Sequence, residues 1–129
     1  MAEIPAVAVE GLKKAYGPNL AVDGLSFSVE AGEVFGLLGP NGAGKTTTVE
    51  ILEGYRRRDA GEVSVLGHDP QSPGPDFRQR IGVVLQQSEV WANITVRETH
   101  WMFAGYYEHP RDIDEVIELV GLRRRRTRA

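Results

Sequence analysis

The 129-residue sequence predicts an α/β fold, and three observations carry that prediction. Short apolar, strand-like runs alternate with segments of helical period. A glycine-rich loop, GPNGAGKTT at residues 39–47, stands between a continuous apolar run and such a helix. Hydrophobic residues make up 41% and charged residues 26%, a globular balance. The same composition excludes several classes. There is no cysteine, hence no disulfide framework, thiol nucleophile or thiolate metal site. No apolar run approaches the roughly 18 residues of a membrane span. The opening MAEIPAVAVE has no basic region followed by an apolar stretch, so it does not read as a secretory signal, and the cytoplasm is the expected compartment.

Taken in order, Ala6–Glu10 (AVAVE) is a short apolar strand closed by a glycine. Leu25–Val29 (LSFSV) alternates apolar and polar as a half-buried strand does. Glu33–Leu38 (EVFGLL) is a continuous apolar run bounded by glycines, the pattern of a strand buried on both faces. Thr47–Glu53 reads as a helix ended by Gly54. Glu62–Leu66 and Ile81–Leu85 read as further strands, separated by the irregular, proline-rich GHDPQSPGPD. Thr95–Tyr107 is a helix opened by a capping box, Thr95 with Glu98. Met102, Phe103 and Tyr106 share its face and are expected in the core. Asp112–Val120 is a second helix, with Ile113, Val116, Ile117 and Val120 on one face and Gly121 at its end.

The net charge of −3 hides an asymmetry: residues 1–122 hold ten Lys+Arg against 18 Asp+Glu, whereas RRRRTRA (123–129) holds five arginines and no acid. An arginine cluster favours phosphates, but the acidic body disfavours nucleic-acid binding. Arg56–Arg58 read as a solvated turn, with anion binding as the alternative. His68, His100 and His109 are isolated and suggest no metal site.

The loop fits G-x-x-x-x-G-K-[ST] through Gly39, Gly44, Lys45 and Thr46. Glycines let successive N–H groups turn inward at a polyphosphate, and the following helix adds its free N–H groups and the positive end of its dipole. Lys45 is placed for the β- and γ-phosphates, the Thr46 hydroxyl for Mg²⁺, and Thr47 for a further phosphate contact.

The run GLKKAYGPNLAVDGLSFSVEAGEVFGLLGPNGAGKTTTVEILEGY, with GEVSVLGHDP and RIGVVLQQSEVWANITVRE after it, resembles the N-terminal part of an ABC-transporter ATP-binding subunit of the drug- or antibiotic-export type. The resemblance covers residues 6–122 and implies a P-loop NTPase with an N-terminal antiparallel β part and an incomplete parallel core sheet flanked by helices. It divides the chain into a partial nucleotide-binding domain at 1–122 and a disordered Arg-rich tail at 123–129. It implies ATP and Mg²⁺ as ligands, held by Tyr16 stacked on adenine and by Gly39, Pro40, Asn41, Gly42, Ala43, Gly44, Lys45, Thr46 and Thr47. It gives Gln86, with Gln87 as its neighbouring alternative, a catalytic role in sensing Mg²⁺ or the attacking water. It implies a transmembrane permease partner at the loop after Gln86, through Ser88, Trp91 and Ile94, although Trp91 suits a small core equally well. It further implies a second ATP-binding subunit and a location at the inner face of the membrane when assembled.

The sequence also departs from that pattern. The family continues with an LSGGQ-like signature, a strand ending in Asp, a catalytic Glu and a later switch histidine. Here VFGLL runs into Gly39, IGVVL runs into Gln86, and VSVLGHD is broken by Gly67 and His68. No strand delivers a carboxylate to Mg²⁺. ATP binding without hydrolysis by this chain alone is therefore the expectation, with a non-hydrolytic regulatory module or a truncated remnant as the alternative. The strand absent from this pattern would lie between the Gln86 strand and the loop strand. An unfilled slot and marginal stability are expected with it.

Overall fold

The computed structural model describes residues 4–39, 44–84 and 93–122. The chain divides into two compact units, residues 1–81 and 82–129.

In the first unit, strand β1 (Val7–Tyr16) and strand β2 (Asn19–Val29) form an antiparallel hairpin across Gly17–Pro18. Helix α1 (Lys45–Glu53) follows, and then strand β3 (Ala60–Val65), antiparallel to β1, completing a three-stranded sheet in the order β2-β1-β3. The expected strand at 6–10 does not stop at Gly11. A β-bulge there carries it on to Tyr16, and the bulge brings Leu12 onto the buried side with Val9 despite their odd spacing. β1 and β3 cross very closely at this point: a Cβ on Gly61 would stand 2.5 Å from the Gly11 carbonyl oxygen. The alternation predicted for 25–29 holds, with Leu25, Phe27 and Val29 half-buried and Ser26 and Ser28 exposed.

Val9, Leu12, Val22, Val63 and Val65 of the sheet meet Ile51 of α1 and Phe77 in one core. Each large side chain removed from water there contributes about 1.5–3 kcal/mol. Phe77 is almost fully buried and directly follows the irregular 67–76 segment, at a position where the sequence predicted no element. Thr48 is buried beside Ile51, and its hydroxyl donates to the Gly44 carbonyl at 2.8 Å, so its burial leaves no unpaired polar atom.

Two expectations are corrected. Residues 33–38 form no strand: Val34 is 99% and Leu38 92% exposed. The segment is held by the Phe35 ring stacked on Phe27, with centroids 5.0 Å apart. Residues 81–84 likewise form no strand, and Val84 is 98% exposed. A strand of the buried parallel type exists only between paired neighbours, and among the described residues neither segment is paired with a strand of the β2-β1-β3 sheet.

The Arg56–Arg58 turn is not simply solvated. Arg58 makes a two-pronged pair with Asp69, both bonds 2.8 Å, and donates from Nε to the Gly61 carbonyl at 2.9 Å. This pins the irregular 67–76 segment to the start of β3.

In the second unit, helix α2 (Val96–Ala104) opens with the expected capping box. Glu98 N–H donates to Thr95 Oγ1 at 3.0 Å and Thr95 N–H to Glu98 Oε1 at 3.4 Å. The helix is shorter than expected, because the chain tightens into i→i+3 turns at Tyr106 and Tyr107. Phe103 and Tyr106 are exposed rather than core, their rings 6.1 Å apart, while Met102 is half-buried. Helix α3 (Ile113–Leu119) is capped by Asp112, which accepts from Glu115 N–H at 3.1 Å. Val96 and Ile117 are the buried apolar residues of these helices, and Arg97 pairs with Asp114. Val120 is exposed rather than part of the buried stripe. Among the described residues no helix is long and apolar enough to cross a membrane.

The Arg58 guanidinium, with the Gln71 N–H, holds the Asp69 carboxyl at about 2, below its ordinary 3.8. A carboxyl depressed on folding stabilises the folded state above its unfolded value, and that stabilisation is lost as pH falls through the folded one. Thermal melts should therefore show a component of stability that disappears between about pH 4 and pH 2. Asp69→Asn should remove that component and cost about 1 kcal/mol at neutral pH, a value reduced for the exposure of the pair. An unchanged pH profile in this variant would refute the assignment.

Candidate nucleotide-binding site

The candidate site is built where α1 leaves the loop. The helix starts two residues earlier than the sequence suggested, at Lys45, with Gly44 as its N-cap at φ 85° and no side-chain cap. Its first internal bond is Thr48 N–H to the Gly44 carbonyl at 2.9 Å, so the N–H groups of Lys45, Thr46 and Thr47 precede the ladder. These donors and the helix dipole favour an anion at this end.

Gly44 is required twice over. Its φ lies in the left-handed region, and an added Cβ would stand 2.3 Å from the Ala21 carbonyl oxygen and 3.0 Å from Val22 Cγ2. The loop therefore seats on β2 through bare backbone. The Lys45 ammonium reaches back to the Gly39 carbonyl, at the other end of the loop. Pro40, Asn41, Gly42 and Ala43 lie outside the described residues.

The Thr46 hydroxyl is on the exposed side of the first turn and Thr47 is half-buried beside it. A hydroxyl oxygen at a helix start, next to an ammonium and three N–H groups that precede the helix ladder, is a group of contacts that suits Mg²⁺ bound together with a phosphate. Thr47 faces Tyr16: Thr47 Oγ1 and the Tyr16 hydroxyl are 3.5 Å apart. The structure thus brings together Tyr16, Gly39, Gly44, Lys45, Thr46 and Thr47. Tyr16 is 39% exposed at the end of β1, with the Lys14 ammonium 5.5 Å and the Arg56 guanidinium carbon 5.3 Å from its ring centroid.

Lys14 is itself held by Asp59, at 3.4 Å, whose other oxygen accepts the Ala15 N–H at 2.7 Å. The Ala15 N–H and the Lys14 ammonium lower the Asp59 carboxyl below its ordinary value. This ties the β1 end carrying Tyr16 to the entry of β3.

Arg56 is the neighbour of the site that sequence reasoning missed. Its only signal was the arginine cluster, which did not single it out. Gln86, Gln87, Ser88, Trp91 and the tail 123–129 lie outside the described residues. Ile94 is half-buried just before the Thr95 cap.

The sequence model of the ABC transporter family matches residues 22–129. The chain belongs to the ABC transporter family. Within that family it is 49% identical over 96 residues to the Nod factor export ATP-binding protein I of Burkholderia orbicola (strain AU 1054), covering 74% of this chain and 32% of that protein. It is 39% identical over 121 residues to the linearmycin resistance ATP-binding protein LnrL of Bacillus subtilis (strain 168), covering 90% of this chain and 39% of that protein. The chain thus spans about a third of the length of the curated relatives it matches. Among solved structures, an ATP-binding subunit of an ABC transporter superposes with a TM-score of 0.80 at 23% identity, over 95% of this chain and 53% of the other. An ATP-binding cassette in its ADP conformation gives 0.74, also at 23% identity, over 98% of this chain and 57% of the other. The fold is that of ABC ATPase domains, an α/β P-loop NTPase.

Gly44→Ala should lose about 1–3 kcal/mol to backbone strain alone, with the clash against Ala21 adding to it. Denaturant unfolding of the variant measures the loss, and a variant as stable as the parent would contradict the seating of the loop on β2.

Proposed function

We propose that the chain binds ATP together with Mg²⁺ as part of the energy-coupling ATPase subunit of an export system. The observation that carries this reading is the meeting of Lys45, Thr46 and Thr47 at the helix start with Tyr16 on β1. In this reading Gly44 and the first N–H groups of α1 hold the phosphates, and Lys45 exchanges its bond to the Gly39 carbonyl for phosphate oxygens. Thr47 links the phosphate end to Tyr16, on which the base stacks, an interaction tolerant of base identity. Thr46 would hold Mg²⁺, which neutralises phosphate charge when bound. Gln86, or Gln87, would sense the metal or the attacking water. The Ser88, Trp91 and Ile94 region would face a membrane permease, with a second ATP-binding subunit opposite. The export proteins among the relatives support this role by name.

A polypeptide of these 129 residues contains no matching second Mg²⁺ ligand, catalytic Glu or signature. Oriented nucleophile and charge stabilisation are what phosphoryl transfer to water requires, and each donor lost removes several kcal/mol of transition-state stabilisation. We therefore propose that this polypeptide binds nucleotide with negligible turnover. In an assembly that supplies those groups it would act in hydrolysis.

Equilibrium binding of ATP·Mg²⁺ tests the shared part. Lys45→Ala removes a charge-assisted contact worth about 1.5–3 kcal/mol, so affinity should fall about ten- to a hundredfold. Undiminished binding in that variant would count against the site. A steady-state assay should find no Lys45-dependent phosphate release, and turnover near that of a full-length relative would sink the non-hydrolytic reading.

A further inference from the structure

Arg56 follows α1, and the chain folds it back onto the site. Gly54 ends the helix at φ 83°, and the N–H groups of Tyr55 and Arg56 both donate to the Glu50 carbonyl, at 3.0 and 3.2 Å. This reversal sets the Arg56 side chain beside Glu50, where Nε donates to Oε2 at 2.5 Å. Its guanidinium then lies against two aromatic rings, 5.3 Å from the Tyr16 centroid and 6.0 Å from that of Tyr55. The Glu50 bond keeps the Arg56 cation firmly protonated. Its two neighbours do otherwise: Arg57 is exposed, and Arg58 is committed to Asp69.

Besides the Lys14 ammonium near its ring, Tyr16 is thereby restrained at both its hydroxyl and its ring. Its hydroxyl meets Thr47 and its ring meets a guanidinium that a carboxylate holds still. A planar guanidinium is well suited to this, because it stacks on aromatic rings and stays charged at any working pH. An aromatic platform that swings freely must be ordered when a base stacks on it, and that ordering weakens binding. A platform ordered beforehand does not carry that cost.

Resting on the nucleotide reading above, we propose that Arg56 is a positioning residue that acts through Tyr16, with Glu50 as its anchor, to set how tightly the site holds the base of its nucleotide. The phosphate contacts belong to Gly44–Thr47, so the effect of Arg56 falls on the base and not on the phosphates.

The test compares two ligands, ATP and inorganic tripolyphosphate, which carries the phosphate chemistry without a base. Binding of each to the full chain is measured with Mg²⁺ at about 0.15 M salt, where exposed charges farther apart than about 8 Å are screened. Arg56→Gln should weaken ATP roughly two- to fivefold, the strength of an exposed cation–aromatic contact, and leave tripolyphosphate unchanged. Arg56→Lys should restore part of the loss. In a Tyr16→Ala background Arg56→Gln should have no further effect. Glu50→Gln keeps the arginine but frees it, and should reproduce the selective loss of ATP; circular-dichroism melts check that each variant folds. An equal loss for both ligands, or an Arg56→Gln effect that persists without Tyr16, would overturn the proposal. A parent chain that binds tripolyphosphate as tightly as ATP would remove the base platform and this proposal with it. A parent that binds neither would overturn the nucleotide reading itself.

Discussion

The site depends on one close approach, that of Gly44 to the carbonyl of Ala21. There the loop touches β2 with no side chain between, at a distance where a single Cβ would collide. A helix that starts from such a contact has little freedom in position or rotation. With Lys45 as its first residue, Thr48 and Ile51 turn down onto the sheet and Thr46 turns out to solvent. Thr47 is left facing the end of β1, where Tyr16 meets it. The core and the site are therefore consequences of one seating: Ile51 joins Val9, Leu12, Val22 and Val63 in one core because Gly44 sits where it does. A second backbone contact, Gly61 against Gly11, fixes β3 on the other side of β1 in the same way. Both are places where side-chain volume would separate elements that must touch.

What the sequence made legible is what local chemistry decides. The capping box at Thr95 and Glu98 needs only two side chains and three residues of backbone, and it formed as read. The alternation of LSFSV reports a sheet with one wet face, and the sheet has one. The glycine loop was legible because phosphate chemistry prescribes its residue types and spacing. The failures have equally physical causes. Gly11 read as the end of a strand, since a glycine that stops a strand and one that bulges it look alike until the partner strand is seen. EVFGLL read as a buried strand, and IGVVL as a further strand, because a continuous apolar run states that burial is favourable; it does not state that a paired neighbour is present to provide it. Val34, Leu38 and Val84 are exposed for want of that neighbour among the described residues. Phe77 was hidden because it directly follows a proline-rich stretch of irregular path, which the Arg58–Asp69 pair ties to a distant part of the chain. Arg56 was hidden because its role depends on the Gly54 reversal and on the far end of β1, neither of which a charge cluster encodes.

The distribution of charge around the site argues further for an anionic ligand than the net charge can. Residues 1–122 are acidic overall, with 18 Asp+Glu against ten Lys+Arg, and an acidic protein repels a polyphosphate at long range. Binding must then come from local fields. Three cations near Tyr16 and the sheet are matched by carboxylates: Lys14 by Asp59, Arg56 by Glu50 and Arg58 by Asp69. Such pairs largely cancel at a distance and act as struts, tying the strand end, the helix exit and the irregular segment together. Lys45 is partnered differently, by the Gly39 carbonyl. A carbonyl satisfies a donor without neutralising its charge, so an anion arriving at the start of α1 still meets a full positive charge there. It meets it beside three N–H groups that the helix ladder has left over. The acidic surroundings sharpen the selection, since a ligand that cannot engage those groups at contact distance gains nothing to offset the repulsion. Recognition in this arrangement rests on short-range geometry, and that geometry follows from where Gly44 meets Ala21.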